Sequence, residues 1–333
     1  MTPDSRPRVF VSRRISDSAR DRILGEAQAD IWPDEMPPGR EELLRRVAGV
    51  GGFLSMVSDR VDDELLDRAG PQLNVVSNYG VGVDHIDVAA CTRRGIAVGN
   101  TPGVLTETTA DLAFALLMAA ARRIPEGYEF VRQDRWKAWS PALLMGPDVH
   151  HATLGVLGFG RIGREVAKRG HGFDMQVLYY ARQPASAEDE QRLGARRGSL
   201  DHVLSESDFI TLHVPLSPET HHMINRETLA KMKPSAILIN TSRGPVIDSD
   251  ALYEALKEGV IAAAALDVTE PEPMPGNHPL LGLPNCLVVP HIASSSFATR
   301  AKMASIAADN LLAGLRRTAL PSFVNPEAYA AKR

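Results

Sequence analysis

The six residues Gly158-Phe159-Gly160-Arg161-Ile162-Gly163 follow an apolar run, Leu154 to Leu157, and the chain continues from Arg161 to Lys168 with helical spacing. A glycine-rich turn between a buried-type strand and a helix is a place where backbone amides can hold a diphosphate. In such a turn Gly158 permits the reversal, Gly160 leaves the backbone open to phosphates, and Gly163 lets the helix pack on the strand. The helix N-terminus, with Arg161 and Ile162 in its first turn, then faces the negative charge favourably. A glycine-rich turn without a ligand is the plain alternative, and the strand before it and the helix after it favour the dinucleotide site.

Three more polar clusters follow apolar runs of the same half of the chain: Asn240-Thr241-Ser242-Arg243-Gly244, Leu266 to Pro273, and Val289-Pro290-His291-Ile292-Ala293-Ser294. Carboxyl ends of strands are where parallel sheets bind ligands. An arginine, a carboxylate and a histidine converging there meet the needs of hydride transfer to a ketone: a clamp on charge, a proton donor, and a group that orients the donor. Glu270 and Glu272 both offer that carboxylate. The chain has ten histidines. The adjacent pairs His150-His151 and His221-His222 would point to opposite faces of a strand, so no metal site is expected.

The acid that grips the adenosine ribose of NAD(H) is expected after the second strand of such a sheet, about 20 residues past the glycines. Here the strand Gln176 to Tyr180 runs into Ala181-Arg182. A carboxylate would repel a 2′-phosphate, whereas an arginine can pair with it. NADP(H) is therefore the expected cofactor, with NAD(H) the weaker alternative; an ordinary solvated loop charge is the bland reading of Arg182.

The elements that must position these residues are legible from periodicity. From Pro7 to Asn100, the apolar runs Val9 to Val11, Gly52 to Met56, Leu73 to Val76 and Ile96 to Val98 alternate with helical patterns such as Glu41 to Val47 and Asp62 to Ala69. That alternation predicts a parallel α/β sheet. A second series of six strands starts at Thr153 and ends at Leu287 to Val289, which suits a Rossmann-type doubly wound sheet. The helix from about Thr106 to Arg123 reads as a connector, and Ser295 to Leu315 as a long helix returning to the first domain. The expected organisation is a coenzyme domain, residues 102–293, inserted in a second α/β domain made of residues 1–101 and 294–333.

With 333 residues, 44% of them hydrophobic and 23% charged, the chain has the composition of an ordinary soluble protein with two cores. Its formal charge of −4, from 37 basic and 41 acidic residues, gives no footprint for nucleic acid or an anionic membrane. No apolar stretch approaches the roughly 20 residues of a membrane span, and Met1 to Arg14 is polar, so a cytoplasmic location is expected. Cys91 and Cys286 read as two unpaired thiols.

Several stretches together resemble the D-isomer-specific 2-hydroxyacid dehydrogenases, and within them the glyoxylate and hydroxypyruvate reductases: Asn78 to Asp87, Asn100 to Thr106, the glycine turn, Thr241 to Gly244, Leu266 to Pro273 and Asn277 to Leu281. The resemblance spans nearly the whole chain. It implies a flavodoxin-like fold for the outer domain, a small 2-oxo or 2-hydroxy acid substrate, and a homodimer formed through the coenzyme domain. It further implies Arg243 as the substrate arginine, His291 as the acid/base and Glu272, five residues past Asp267, as its partner. The backbone at Val81 and Gly82 would hold the substrate carboxylate, with Ser294 at a substrate-contacting position. Asp267 would lie beside the nicotinamide, Pro215 and Thr241 along the cofactor. Trp136 and Trp139 read first as packing residues; in the family, a tryptophan of this segment reaches the partner's substrate site.

Alternatives on the same fold are reduction of 2-ketogluconate, D-lactate oxidation and phosphite oxidation. A non-enzymatic dinucleotide-sensing corepressor is a further reading, which the joint presence of Arg243, Glu272 and His291 disfavours.

Overall fold

The computed structural model describes residues 5–330; the first four and last three residues of the expected outer domain lie outside the described residues. The chain divides into two compact units, one formed by the segment up to Leu105 with the segment from Ser295 onward, the other by Thr106–Ser294.

The outer unit is built on strands β1 (Arg8–Val11), β2 (Gln28–Ile31), β3 (Gly52–Ser55), β4 (Val75–Asn78) and β5 (Ala97–Gly99). They pair in parallel in the order β2-β1-β3-β4-β5, the flavodoxin-like order. Strand alternation sends Phe10 and Phe53 to one face, where their rings stack at 5.8 Å beneath Leu43, Leu44, Leu65 and Leu66. Val9, Val11, Leu54 and Val75 go to the other face, against Ile23 of the helix Asp17–Glu26 and Ala304, Ala307, Ala308 and Leu311 of the helix Phe297–Leu315. Strand β2 leaves no apolar run in the sequence because it is an edge strand, Gln-Ala-Asp-Ile, half-buried along its whole length.

The inner unit carries β6 (Thr153–Leu157), β7 (Gln176–Tyr180), β8 (Ala195–Arg197), β9 (Phe209–Leu212), β10 (Ile237–Asn240), β11 (Ala263–Leu266) and β12 (Cys286–Val288). All neighbours are parallel, in the order β12-β11-β10-β9-β6-β7-β8, so the winding reverses between β6 and β9 in the Rossmann manner. This sheet has seven strands where periodicity gave six. The additional one, β8, is a three-residue edge strand with two exposed arginines. The helix Thr106–Ala121 also departs from expectation. It is no mere connector: Ala110, Ala113, Phe114, Leu116, Leu117 and Ala121 are buried, and it packs against the helix Arg161–His171 and against β10 and β11. Its alanines allow that close approach.

Cys91 and Cys286 are unpaired thiols, each pushed up to about 12 by burial, and therefore poor nucleophiles. Among the described residues no helix is long and apolar enough to cross a membrane.

Candidate active site

The glycine turn leaves β6 at Leu157. Gly158 has φ +97, and a Cβ there would sit 2.6 Å from the carbonyl carbon of His213 and the amide nitrogen of Val214. Both the backbone conformation and the close pass of the segment just after β9 therefore require glycine. A Cβ on Gly163 would lie 2.1 Å from the Gly158 carbonyl oxygen, so the helix is seated directly on the turn. Gly160 is different: its φ is −79 and nothing lies within 4 Å of where a Cβ would stand. It is also the N-cap of the helix Arg161–His171 with no side-chain cap, which leaves first-turn amides for another acceptor. Thr241, immediately past β10, has a buried Oγ1 with no hydrogen-bond partner. An open cradle at a helix N-terminus and an orphaned hydroxyl at a neighbouring strand end fit a dinucleotide.

Ala181 and Arg182 follow the last residue of β7, with Arg182 exposed. Arg197, which ends β8, donates from Nη2 to the carbonyls of Ala181 (2.9 Å) and Arg182 (3.0 Å). Two guanidinium groups thus stand at this strand end, and the second escaped sequence reasoning together with β8. Pro215, beyond β9, is exposed, and its carbonyl accepts a hydrogen bond from Thr220 Oγ1 at 2.6 Å. His213 was also missed. Some of its surface remains accessible, yet burial pushes its imidazole down to about 3, so it is neutral; Nε2 meets Thr211 Oγ1 at 2.9 Å and Nδ1 has no partner.

The histidine and the carboxylate meet. His291 Nδ1 lies 2.6 Å from Glu272 Oε1, with both side chains about one-third exposed at 31% and 34%. Glu270 is turned away: its Oε2 is 2.8 Å from His222 Nε2. Of the two glutamates, Glu272 is thus the one beside His291 and Glu270 the one beside His222. Burial acts most strongly on Glu272 and raises its carboxyl, but the hydrogen bond and charge of His291, the Thr269 amide and the Arg243 charge together hold it below its ordinary value. His291 Nε2 makes no hydrogen bond among the described residues.

Asp267 fixes this histidine from behind. It is 1% exposed, its Oδ1 and Oδ2 accept from the amides of Ile292 (2.6 Å) and Ala293 (3.0 Å), and its carbonyl accepts from the His291 amide at 2.8 Å. Burial pushes its carboxyl up against those bonds. Its polar atoms are therefore spent on the loop that carries His291, which adopts the left-handed φ of 52. A loop held this firmly can keep a residue in that sparsely populated region.

Arg243 leaves β10 in extended conformation, its carbonyl held by Asn240 Nδ2 at 2.9 Å and its Nη1 on the Ser242 carbonyl at 2.8 Å. A Cβ on Gly244 would fall 1.8 Å from the Thr269 carbonyl oxygen, so the Arg243 loop and the loop leading to Glu272 are in direct backbone contact. Ser294 closes the inner unit, half-buried. In the outer unit, the loop after β4 is shaped by Asn78, whose Nδ2 donates to the carbonyls of Gly80 (3.1 Å) and Gly82 (2.8 Å), and by Asn100 Nδ2 on the Val81 carbonyl (2.8 Å). The amides of Val81 and Gly82 have no acceptor among the described residues. Trp136 and Trp139 are 60% and 81% exposed and join no core.

Residues 114–293 match the family model of the D-isomer specific 2-hydroxyacid dehydrogenase NAD-binding domain. A glyoxylate reductase of Korarchaeum cryptofilum is 50% identical over 324 residues, covering 97% of each chain. Among solved structures, a protein of Thermus thermophilus superposes with a TM-score of 0.89 at 47% identity, covering 95% of this chain and 99% of that one. An NADPH-dependent glyoxylate/hydroxypyruvate reductase of Sinorhizobium meliloti, in complex with NADP and malonate, gives 0.83 at 33% identity, covering 97% and 98%.

Proposed function

Because the chain belongs to the D-isomer specific 2-hydroxyacid dehydrogenases, we propose that this NAD(P)-dependent oxidoreductase reduces glyoxylate to glycolate and hydroxypyruvate to D-glycerate, with NADPH preferred over NADH. The observation that carries the reading is the 2.6 Å pair of His291 and Glu272 on loops that also adjoin Arg243. The bound nicotinamide supplies the hydride. Gly158, Gly160 and Gly163 shape its diphosphate cradle, with Arg161, Ile162, Thr241, Pro215 and Asp267 along the cofactor.

Reduction of a 2-oxo acid leaves an alkoxide that needs a proton. His291, protonated, delivers it from Nε2, and Glu272 on Nδ1 stabilises the imidazolium and fixes the ring. Arg243 binds the carboxylate and the carbonyl oxygen, where its charge favours the developing oxyanion. The unengaged amides of Val81 and Gly82, with the Ser294 hydroxyl, hold the remaining substrate oxygens. The test is a panel of glyoxylate, hydroxypyruvate, pyruvate, phenylpyruvate and 2-ketogluconate, each with NADPH and NADH, followed by loss of reduced-cofactor absorbance. Turnover with glyoxylate and hydroxypyruvate bears the reading out, and no turnover with any 2-oxo acid overturns it.

The NADPH preference rests on Ala181-Arg182 and on the S. meliloti neighbour, whose structure carries NADP. Arg182→Ala is expected to lose about 1.5–3 kcal/mol of NADPH binding, the usual worth of a charged hydrogen bond, with little change for NADH. Equal losses for both cofactors would exclude a role at the 2′-phosphate. Gly160→Ala separates ligand from protein: with open space around the Cβ, the fold should tolerate the change, whereas affinity for either cofactor falls. A drop in stability without a drop in affinity would refute the cradle.

A homodimer belongs to the same proposal. The helix Ile124–Arg132 buries no residue, and Ile124, Tyr128, Val131, Trp136, Trp139 and Met145 are all exposed around it. Apolar surface gathered on one arm is the mark of an interface, and Trp139 is its most exposed large residue beyond the helix.

A further inference from the structure

In the inner unit, the segment after β9 turns back on itself before the helix Arg226–Leu229. Thr220 Oγ1 fastens the turn, donating to the Pro215 carbonyl at 2.6 Å and accepting from the Ser217 amide at 2.8 Å, and the His221 amide bonds the Ser217 carbonyl at 2.9 Å. His222 then takes the left-handed φ of 49, and its amide bonds the Pro245 carbonyl at 2.8 Å. Neighbouring side chains point apart on an extended backbone. Here the backbone is turned, and the two imidazole rings lie on one side, stacked at 4.0 Å with 27° between their planes. The reason for expecting no metal at this pair is thereby removed.

The loop after β11 brings a third group. Ser249 Oγ donates to the Glu270 carbonyl at 2.8 Å, and the Glu270 side chain reaches His222, with Oε2 2.8 Å from Nε2. One nitrogen from each imidazole and one carboxylate oxygen all fall within 4.8 Å of one another. Ligands of a tetrahedral zinc ion stand about 3.3 Å apart, from bonds of about 2.0–2.1 Å. The His222–Glu270 contact is already shorter than that, and His221 can supply the remaining movement: it is exposed, and its side chain makes no hydrogen bond or ion pair among the described residues. The side chains of His222 and Glu270 are 37% and 35% exposed, so an ion can reach them from solvent.

Two imidazoles and one carboxylate select zinc and its neighbours in the first transition row over magnesium and calcium, which take oxygen ligands. A proton shared by His222 and Glu270 accounts for two of the three groups. A divalent ion accounts for all of them.

We propose that His221, His222 and Glu270 bind one divalent ion of the zinc class, apart from the dinucleotide turn and from His291. The ion clips the turn after β9 to the loop after β11, and because the unfolded chain does not hold the three groups together, its binding stabilises the fold.

The test titrates the full chain, stripped of metal with a chelator and dialysed, with Zn²⁺ against a chromophoric zinc indicator. One ion per chain is expected on the wild type, with affinity lowered about tenfold or more in His221→Ala and likewise in Glu270→Gln, which keeps the shape of the side chain and removes its charge. His221→Ala changes an exposed side chain without hydrogen bonds, so it carries the comparison if the glutamine variant does not fold. Zn²⁺ should raise the melting temperature of the wild type and leave that of His221→Ala unmoved. The alanine variant keeps the His291–Glu272 pair, so an ion held there would bind wild type and variant equally. That result, absence of binding to the wild type, or Mg²⁺ binding as tightly as Zn²⁺ would overturn the proposal. The titration needs no turnover, so its failure is distinct from failure of the reductase reading.

Discussion

Replacing His291 with alanine is expected to lower reductive turnover about 10²–10⁴-fold, the usual worth of a positioned general acid, while NADPH affinity measured by fluorescence stays within about twofold. The separation follows from where the residue sits. The diphosphate cradle is made by β6 and the helix after it, whereas His291 lies past β12 on a loop tied to β11 through Asp267. Its left-handed φ of 52 makes alanine an imperfect test by itself, since alanine tolerates that region less well than histidine. Asparagine accepts it, so His291→Asn keeps the backbone and removes the acid. Both variants should lose kcat alike; normal turnover in the asparagine variant would remove His291 from proton transfer.

Much of this arrangement could be read from the sequence because the residues concerned obey local rules. The turn at Gly158 announces itself by a strand before it and a helical period after it, and the structure finds Gly158 pressed on the backbone just after β9 and Gly163 on the turn carbonyl. Central strands, buried on both faces, produce apolar runs. Edge strands do not, so β2 and β8 were invisible, and with β8 went Arg197. The pairing of His291 with Glu272 rather than Glu270 is a property of how the loop after β11 turns, since both glutamates lie within six residues of Asp267 and have the same chemistry. Asp267 shows another limit. Its place directly after an apolar strand is legible, but its two bonds to the Ile292 and Ala293 amides arise only when β11 and β12 are side by side. The helix Thr106–Ala121 looked like a link because its alanines give little amphipathic contrast, and that same smallness is what lets it pack tightly.

Arg243→Ala should lower kcat about 10²–10³-fold without loss of fold, the usual worth of a charged donor aimed at a developing oxyanion. Its backbone is fixed independently of the guanidinium, by Asn240 Nδ2 on its carbonyl and by the seat of Gly244 against Thr269, so removing the side chain leaves the loop in place. The loss should appear in kcat as well as KM. Ground-state binding of the carboxylate alone would raise KM and spare kcat, whereas a bond that strengthens as hydride arrives lowers kcat too. Arg243→Lys tests the geometry: the charge survives, but the planar fork does not, so activity should recover only in part. A second readout reaches the partner carboxylate. Burial raises the Glu272 carboxyl, and His291, the Thr269 amide and finally Arg243 lower it. Without the Arg243 charge its proton is held to higher pH, so Glu272 ceases to support the imidazolium earlier as pH falls, and the acid limb of kcat/KM moves upward. Lysine should return that limb toward the wild type even where it fails to restore kcat. An alanine variant with a raised KM, normal kcat and an unmoved acid limb would reduce Arg243 to a carboxylate anchor and leave the oxyanion to other groups.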